Sequence, residues 1–271
     1  MTRAVPAGAA MAPSMWLDEG PARPRRGLRW WKEVLAAAIF YAVYSVIRNT
    51  QGSASVSRDL AFRNARRVID LERLLGLYHE RAVQHLFVSS GAIMSLWNLF
   101  YGTFHFFVTI GVLVVLFRAH PDRYRKWRNV LAATTAIALV GFAVYPLMPP
   151  RLLPSTYGFV DSLKRYGSLW SFDSTAMHKV SNQFAAMPSL HFAWSLWSAC
   201  ALVPALRRTW GRVVAALYPF ATLCAIVITA NHFVLDAVAG AAALAGGVMY
   251  ATATSGALGR VRARRRAASP A

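Results

Sequence analysis

The feature that most constrains this chain is the gathering of its apolar residues into long blocks, at about 33–49, 97–118, 130–148, 188–205, 213–230 and 233–253. A run near 20 residues is what a helix needs to cross a hydrocarbon core of about 30 Å. Composition agrees: 56% of residues are hydrophobic and only 15% charged, against roughly 25% charged in an average soluble domain. The expected architecture is all-α, a polytopic membrane bundle of six transmembrane helices. Residues 1–32, rich in Pro, Ala and Arg, read as a disordered cytoplasmic tail, and 33–253 as the membrane domain. Residues 254–271 read as a basic cytoplasmic tail. The apolar stretch after residue 32 lacks a small-residue cleavage site and reads as a retained first span, with Trp30 and Trp31 at the interface.

The formal charge of +19 is spread over short loops between the apolar blocks. No soluble domain is left to carry a nucleic-acid groove, so membrane topology and anionic headgroups account for the charge. Cys200 and Cys224 both sit inside apolar blocks and read as small buried hydrophobes; they supply neither a disulfide framework nor a zinc pattern.

Residues 58–82 are charged but periodic. Ala61, Ala65, Val68, Leu71, Leu75 and Tyr78 recur at steps of three and four, with Arg63, Arg66, Arg67, Asp70 and Arg73 mostly off that stripe. The pattern predicts an amphipathic helix, either lying in the membrane interface or packed over loops of the same protein. Ser89, Ser90 and Gly91 offer a break, so 83–96 is expected to enter the membrane only partly, ahead of the second span.

Loop charges set the orientation. Basic residues cluster at 118–128, at 207–212 and at 260–266. With six spans these segments and the N-terminus share one side, which the positive-inside rule makes cytoplasmic. Three short stretches then fall together at the outer face: Pro149-Pro150-Arg151, Met187-Pro188-Ser189-Leu190-His191, and Asn231-His232-Phe233-Val234-Leu235-Asp236. Ionisable groups at membrane depth are costly and so are functional candidates.

His232 and Asp236 are four apart on a helix, where a carboxylate can hold one ring nitrogen and leave the other as nucleophile or base. His191 lies at a helix start, whose amides can bind an anion. Arg151 offers a planar fork for phosphate oxygens, and Ser189 joins it as a candidate phosphate-binding residue. Nucleophile, acid and anion clamp form a phosphoryl-transfer set. Each part also has a plainer reading. A lone histidine in a span, such as His105, is ordinarily a satisfied core group, and a Pro-Arg at a span end can simply stop a helix and snorkel. A His–Asp pair could ligate a metal, but further ligands of the usual types are not in view.

Pro188-Ser189-Leu190-His191 followed by His232-Phe233-Val234-Leu235-Asp236 resembles the signature of the type 2 phosphatidic acid phosphatase superfamily. The stretches 182–194 and 229–240 are most similar to its inositol phosphorylceramide synthase branch, and the likeness runs from about residue 60 to 253. The resemblance implies a six-helix core in which His191 protonates the leaving group. His232 attacks phosphorus to give a phosphohistidine, Asp236 orients His232, and Arg151 corresponds to the first-motif arginine. It implies no metal and no cofactor.

The chain departs from the phosphatase pattern at four places. Val144 stands where a lysine is expected, Leu152 where a proline should follow Arg151, and Ala225 and Ile226 where Ser-Arg usually opens the third motif. The synthase branch shares the lack of Ser-Arg, and Lys164, Arg165 and Lys179 could restore positive charge. The expected activity is therefore a lipid phosphotransferase or lipid phosphate phosphatase in the cell membrane. It would act on a lipid-linked phosphate at the extracytoplasmic face, with water or an alcohol such as inositol as acceptor. Alternatives are an isoprenoid carrier phosphate phosphatase and a non-catalytic lipid-binding membrane protein.

Overall fold

The computed structural model describes residues 28–35, 38, 39, 42, 57–167 and 183–267. The predicted tail 1–32 and first span 33–49 lie largely outside them, as does Lys179. The described residues form an all-α protein. Its helices are α1 (Arg58–Leu74), α2 (Glu80–Phe87), α3 (Gly91–Ala119), α4 (Pro121–Val144), α5 (Ser162–Tyr166), α6 (Leu190–Leu202), α7 (Thr209–Ile228) and α8 (Val234–Ala267), with short 3-10 turns at Pro150–Leu152, Ser155–Tyr157 and Val203–Ala205.

Among the described residues four helices are long and apolar enough to cross a membrane: α3, α4, α7 and the Val234–Ser255 portion of α8. α6 is apolar but has only 13 residues, about 20 Å of helix. α8 packs along α4 and α6, and α6 sits between α3 and α7. Large apolar side chains such as Phe107, Val140, Phe220 and Met249 face outward, as a lipid-facing surface requires. Between helices the contacts are made by small and hydroxyl residues: Thr134, Thr135, Ser195 and Ser198 are buried, and Trp194 Nε1 donates to Thr135 Oγ1 at 3.0 Å. Gly247 of α8 lies directly against Thr134 of α4, and Gly141 of α4 against Pro188.

Helix boundaries differ from the sequence expectation in ways with physical causes. The segment 58–82 is not one helix. α1 starts at the Ser57 cap and stops where Gly76 takes φ +69°. There Leu77 N bonds Glu72 O at 2.7 Å and Gly76 N bonds Arg73 O at 3.2 Å, a left-handed C-terminal cap. The break at Ser89–Gly91 is real, but 83–96 divides between α2 and α3, so the second span starts at the Ser90 cap instead of residue 97. The basic segment 118–128 is mostly the first turns of α4, opened by Pro121 at a favoured position.

α1 lies over the loops at one end of the bundle. Ala61, Ala65, Val68 and Ile69 pack on Leu147, Met148, Leu153, Phe184, Ala186 and Phe233. The stripe is rotated from the one read in the sequence: Leu71 and Leu75 are exposed, and Glu72 is fully buried. Three buried amides hold the loop between α4 and α6. Asn64 Nδ2 donates to Pro146 O, Gln84 bonds both the N–H and the C=O of Val160, and Asn98 Nδ2 donates to Ser162 O and Gly167 O. At the opposite end, Glu33 accepts from Arg128 at 2.5 Å and from Tyr124 at 3.2 Å, which puts residue 33 beside the basic turns of α4.

Candidate active site

The last residues of α7 and the first of α8 converge with two earlier segments. α7 ends in a tight cap: Ala230 takes φ +53°, Asn231 N bonds Ile226 O at 3.0 Å, and Ala230 N bonds Val227 O at 2.9 Å. A left-handed alanine is strained relative to glycine there, and it turns the chain so that His232 enters the bundle. The neighbours hold this turn in place. Arg151 N donates to Ala230 O at 2.8 Å and Ser189 N to Asp236 O at 2.9 Å. The Ser162 hydroxyl donates to Thr229 O at 2.9 Å.

His232 is buried and its tautomer is set by two acceptors. Nδ1 lies 3.0 Å from Ala186 O and 3.1 Å from Asp236 Oδ2, so the proton resides on Nδ1. Nε2 is buried and has no hydrogen-bond partner among the described residues. Asp236, fully buried, also accepts from Phe233 N at 3.0 Å. The His191 ring is centred 5.5 Å from that of His232. It stacks on Tyr101 at 4.1 Å and meets His105 edge-on at 4.2 Å.

Arg151 reaches the same turn. Its Nε donates to Asn231 Oδ1 at 2.9 Å and its terminal N–H to Asp161 Oδ2 at 3.0 Å. Five expected site residues are thus brought to one end of the bundle, although Ser189 arrives in a different role. It is fully buried and caps α6, its hydroxyl accepting from Phe192 N at 3.4 Å. Lys164 and Arg165 are exposed on α5. Beside His191 a narrow, closely packed cleft is lined by Phe100, Tyr101, His105, Tyr218, Thr222, Ala225 and Ile226.

A family model described as the PAP2 superfamily matches residues 66–250, well over half of the chain. The chain belongs to the PAP2 superfamily. No curated protein and no solved structure matches it. The matched span of this PAP2 protein covers α2 to α7, the second half of α1 and α8 as far as Tyr250, and with them every residue of the convergent cluster. Membership carries lipid phosphatase-type chemistry in general terms, and the helical membrane architecture agrees with it.

Three residues of the cluster were given no functional role from the sequence. His105, which reads as a core group, donates Nδ1–H to Tyr101 O at 3.0 Å and packs on His191. Glu72 and Glu80 are both essentially fully buried. Glu72 Oε1 accepts from Leu235 N at 2.8 Å and Glu80 Oε1 from Val234 N at 3.0 Å. Among the described residues no three or more His, Cys, Asp or Glu gather as a metal would need.

Proposed function

We propose that this PAP2 protein is a membrane-integral lipid phosphotransferase or lipid phosphate phosphatase that works through a phosphohistidine on His232. The observation that carries this reading is the state of that ring: two acceptors hold the proton on Nδ1, and Nε2 keeps an uncommitted lone pair. In the forward step Nε2 attacks phosphorus while the bond from phosphorus to the leaving oxygen breaks. His191 gives its proton to that oxygen, so the leaving group departs as a neutral alcohol. Asp236 stabilises the charge that develops on His232. In the second step His191 takes a proton from water or an alcohol, whose oxygen attacks phosphorus and releases His232.

Arg151 is placed to offset negative charge on the phosphoryl oxygens, held by Asn231 and Asp161 so that its fork does not swing away. The Ser189 cap orients the amides at the start of α6, the second anion-binding element in this reading. The amides of Val234 and Leu235 at the start of α8 are already engaged by Glu80 and Glu72.

The inositol phosphorylceramide synthase-like branch is the finer reading we favour, with an alcohol such as inositol as acceptor. Ala225 and Ile226, where the phosphatase pattern has Ser-Arg, are fully buried and form an apolar wall of the cleft beside His191. Such a wall suits the hydrocarbon part of a lipid more than a second phosphate clamp. The arginines near the opposite end of the bundle, in α4 and around Arg207–Arg212, favour an extracytoplasmic site by the positive-inside rule. The domain limits 33–253 go with this reading.

The test is turnover of purified protein on phosphatidic acid in detergent micelles, with and without added inositol. His232→Ala is expected to lose about 10,000-fold or more in kcat, and Asp236→Asn about 100-fold or more. His191→Ala is expected to lose about 100- to 10,000-fold. Wild-type turnover in His232→Ala refutes the nucleophile, and free phosphate as the sole product in the presence of inositol refutes the transfer branch.

A further inference from the structure

The fully buried carboxyl groups of Glu72 and Glu80 take no part in the steps above, yet both touch the helix that carries the reacting residues. Their Oε1 atoms accept from two successive amides, Leu235 N and Val234 N. Those amides lie in the first turn of α8, between His232 and Asp236. Their Oε2 atoms are buried with no hydrogen-bond partner among the described residues, and the two carboxyl groups lie close enough to interact electrostatically. Side by side and buried, the two groups are least costly with one of them neutral. A buried pair of negative charges would be far costlier.

We propose that Glu72 and Glu80 are positioning residues for the reaction: a buried carboxyl pair that clamps the first turn of α8 and fixes the His232–Asp236 couple for attack. The inference rests on the His232 reading. The clamp acts in two ways. It satisfies N–H groups that a helix start leaves open, and each bond spans more than 150 residues of sequence, so the turn is tied to α1 and α2. It also limits charge. Asp236 lies close enough to interact electrostatically with Glu72, and a third full negative charge there would repel an incoming phosphate.

Burial first, and then the Glu80 contact, push the Glu72 carboxyl up to about 9. The ionisable groups facing the pair are Asp236 on α8 and Tyr78 in the α1–α2 connection, whose phenol stacks under Arg73.

The experiment compares wild type, Glu72→Gln, Glu72→Ala and Glu80→Ala in detergent. It measures kcat and KM on phosphatidic acid across pH and amide hydrogen exchange over residues 229–240. Glutamine can accept from Leu235 N and donate to Glu80, so Glu72→Gln should stay within about threefold of wild-type kcat at neutral pH. Wild-type kcat is expected to fall as pH rises through about 9, and this variant should lack that fall. Each alanine variant should lose about 10- to 100-fold in kcat with KM nearly unchanged, since misplacement near 1 Å costs that much, and should exchange faster at Val234 and Leu235. Wild-type kcat and exchange in the alanine variants overturn the proposal. So does a Glu72→Gln profile that overlays that of wild type. His232→Ala, run alongside, separates the two claims: activity there would defeat the nucleophile, while the exchange data still judge the clamp.

Discussion

Gly240 offers the sharpest perturbation of the site from outside it. It lies one turn beyond Asp236 on α8, where that helix crosses the start of α6. A Cβ built at Gly240 would sit 2.5 Å from Ser189 O and 3.5 Å from Ala193 N. Ordinary contact begins near 3.4 Å, so α6 must retreat by about 0.9 Å in Gly240→Ala, and the obstacle is backbone that cannot rotate away. The displaced residue carries the bond from Ser189 N to Asp236 O at 2.9 Å and is two residues from His191. Overpacking of this kind costs about 1–3 kcal/mol, and a shift near 1 Å between reacting groups costs about 100-fold in rate. The assay is kcat on phosphatidic acid with a melting curve in the same detergent. Gly102→Ala serves as control because nothing lies within 4 Å of a Cβ there, and alanine is the better helix former by up to about 1 kcal/mol. A Gly240→Ala enzyme with wild-type kcat and melting point would refute the close crossing as the device that sets His191 against His232.

Other expectations follow from the same geometry. Glu72 should make stability pH-dependent: its folded value near 9 lies above the ordinary 4.5, so its contribution is complete below 4.5 and is lost as pH rises to 9. The slope approaches about 1.4 kcal/mol per pH unit for one proton, and Glu72→Gln should flatten the melting temperature across that window. Arg151→Lys keeps the charge but cannot bridge Asn231 and Asp161 together; kcat/KM should fall about 10-fold or more. Ala230→Val puts a β-branched residue at φ +53°. It should destabilise the protein by about 1–3 kcal/mol, read as a lower melting temperature with a matching loss of turnover.

The cluster at the end of the bundle was legible because ionisable groups at span ends are expensive and therefore few: His191, His232, Asp236 and Arg151 stood out against an apolar background. Four of the lipid-length blocks were legible from their apolar runs alone. Glu72 and Glu80 were hidden by their setting. In a segment full of arginines a glutamate reads as surface charge, and the step from Val68 to Leu71 fits an apolar stripe as well as the step from Val68 to Glu72. Only the fold reveals that the partner of Glu72 is the amide of Leu235, far along the chain. The split at Gly76 was missed because apolar steps continue across it; the glycine was the signal. The early start of α4 was obscured by its basic first turns, which resemble a loop in composition while obeying helical capping rules.

The turn from Thr229 to Asp236 is touched by Glu72, Glu80, Arg151, Ser162, Ala186 and Ser189, all of which leave the ribosome before it does. A nascent chain therefore holds a nearly complete receptor with its centrepiece still unsynthesised. On the proposed mechanism, turnover waits until α8 has been made and has packed against the helices that precede it.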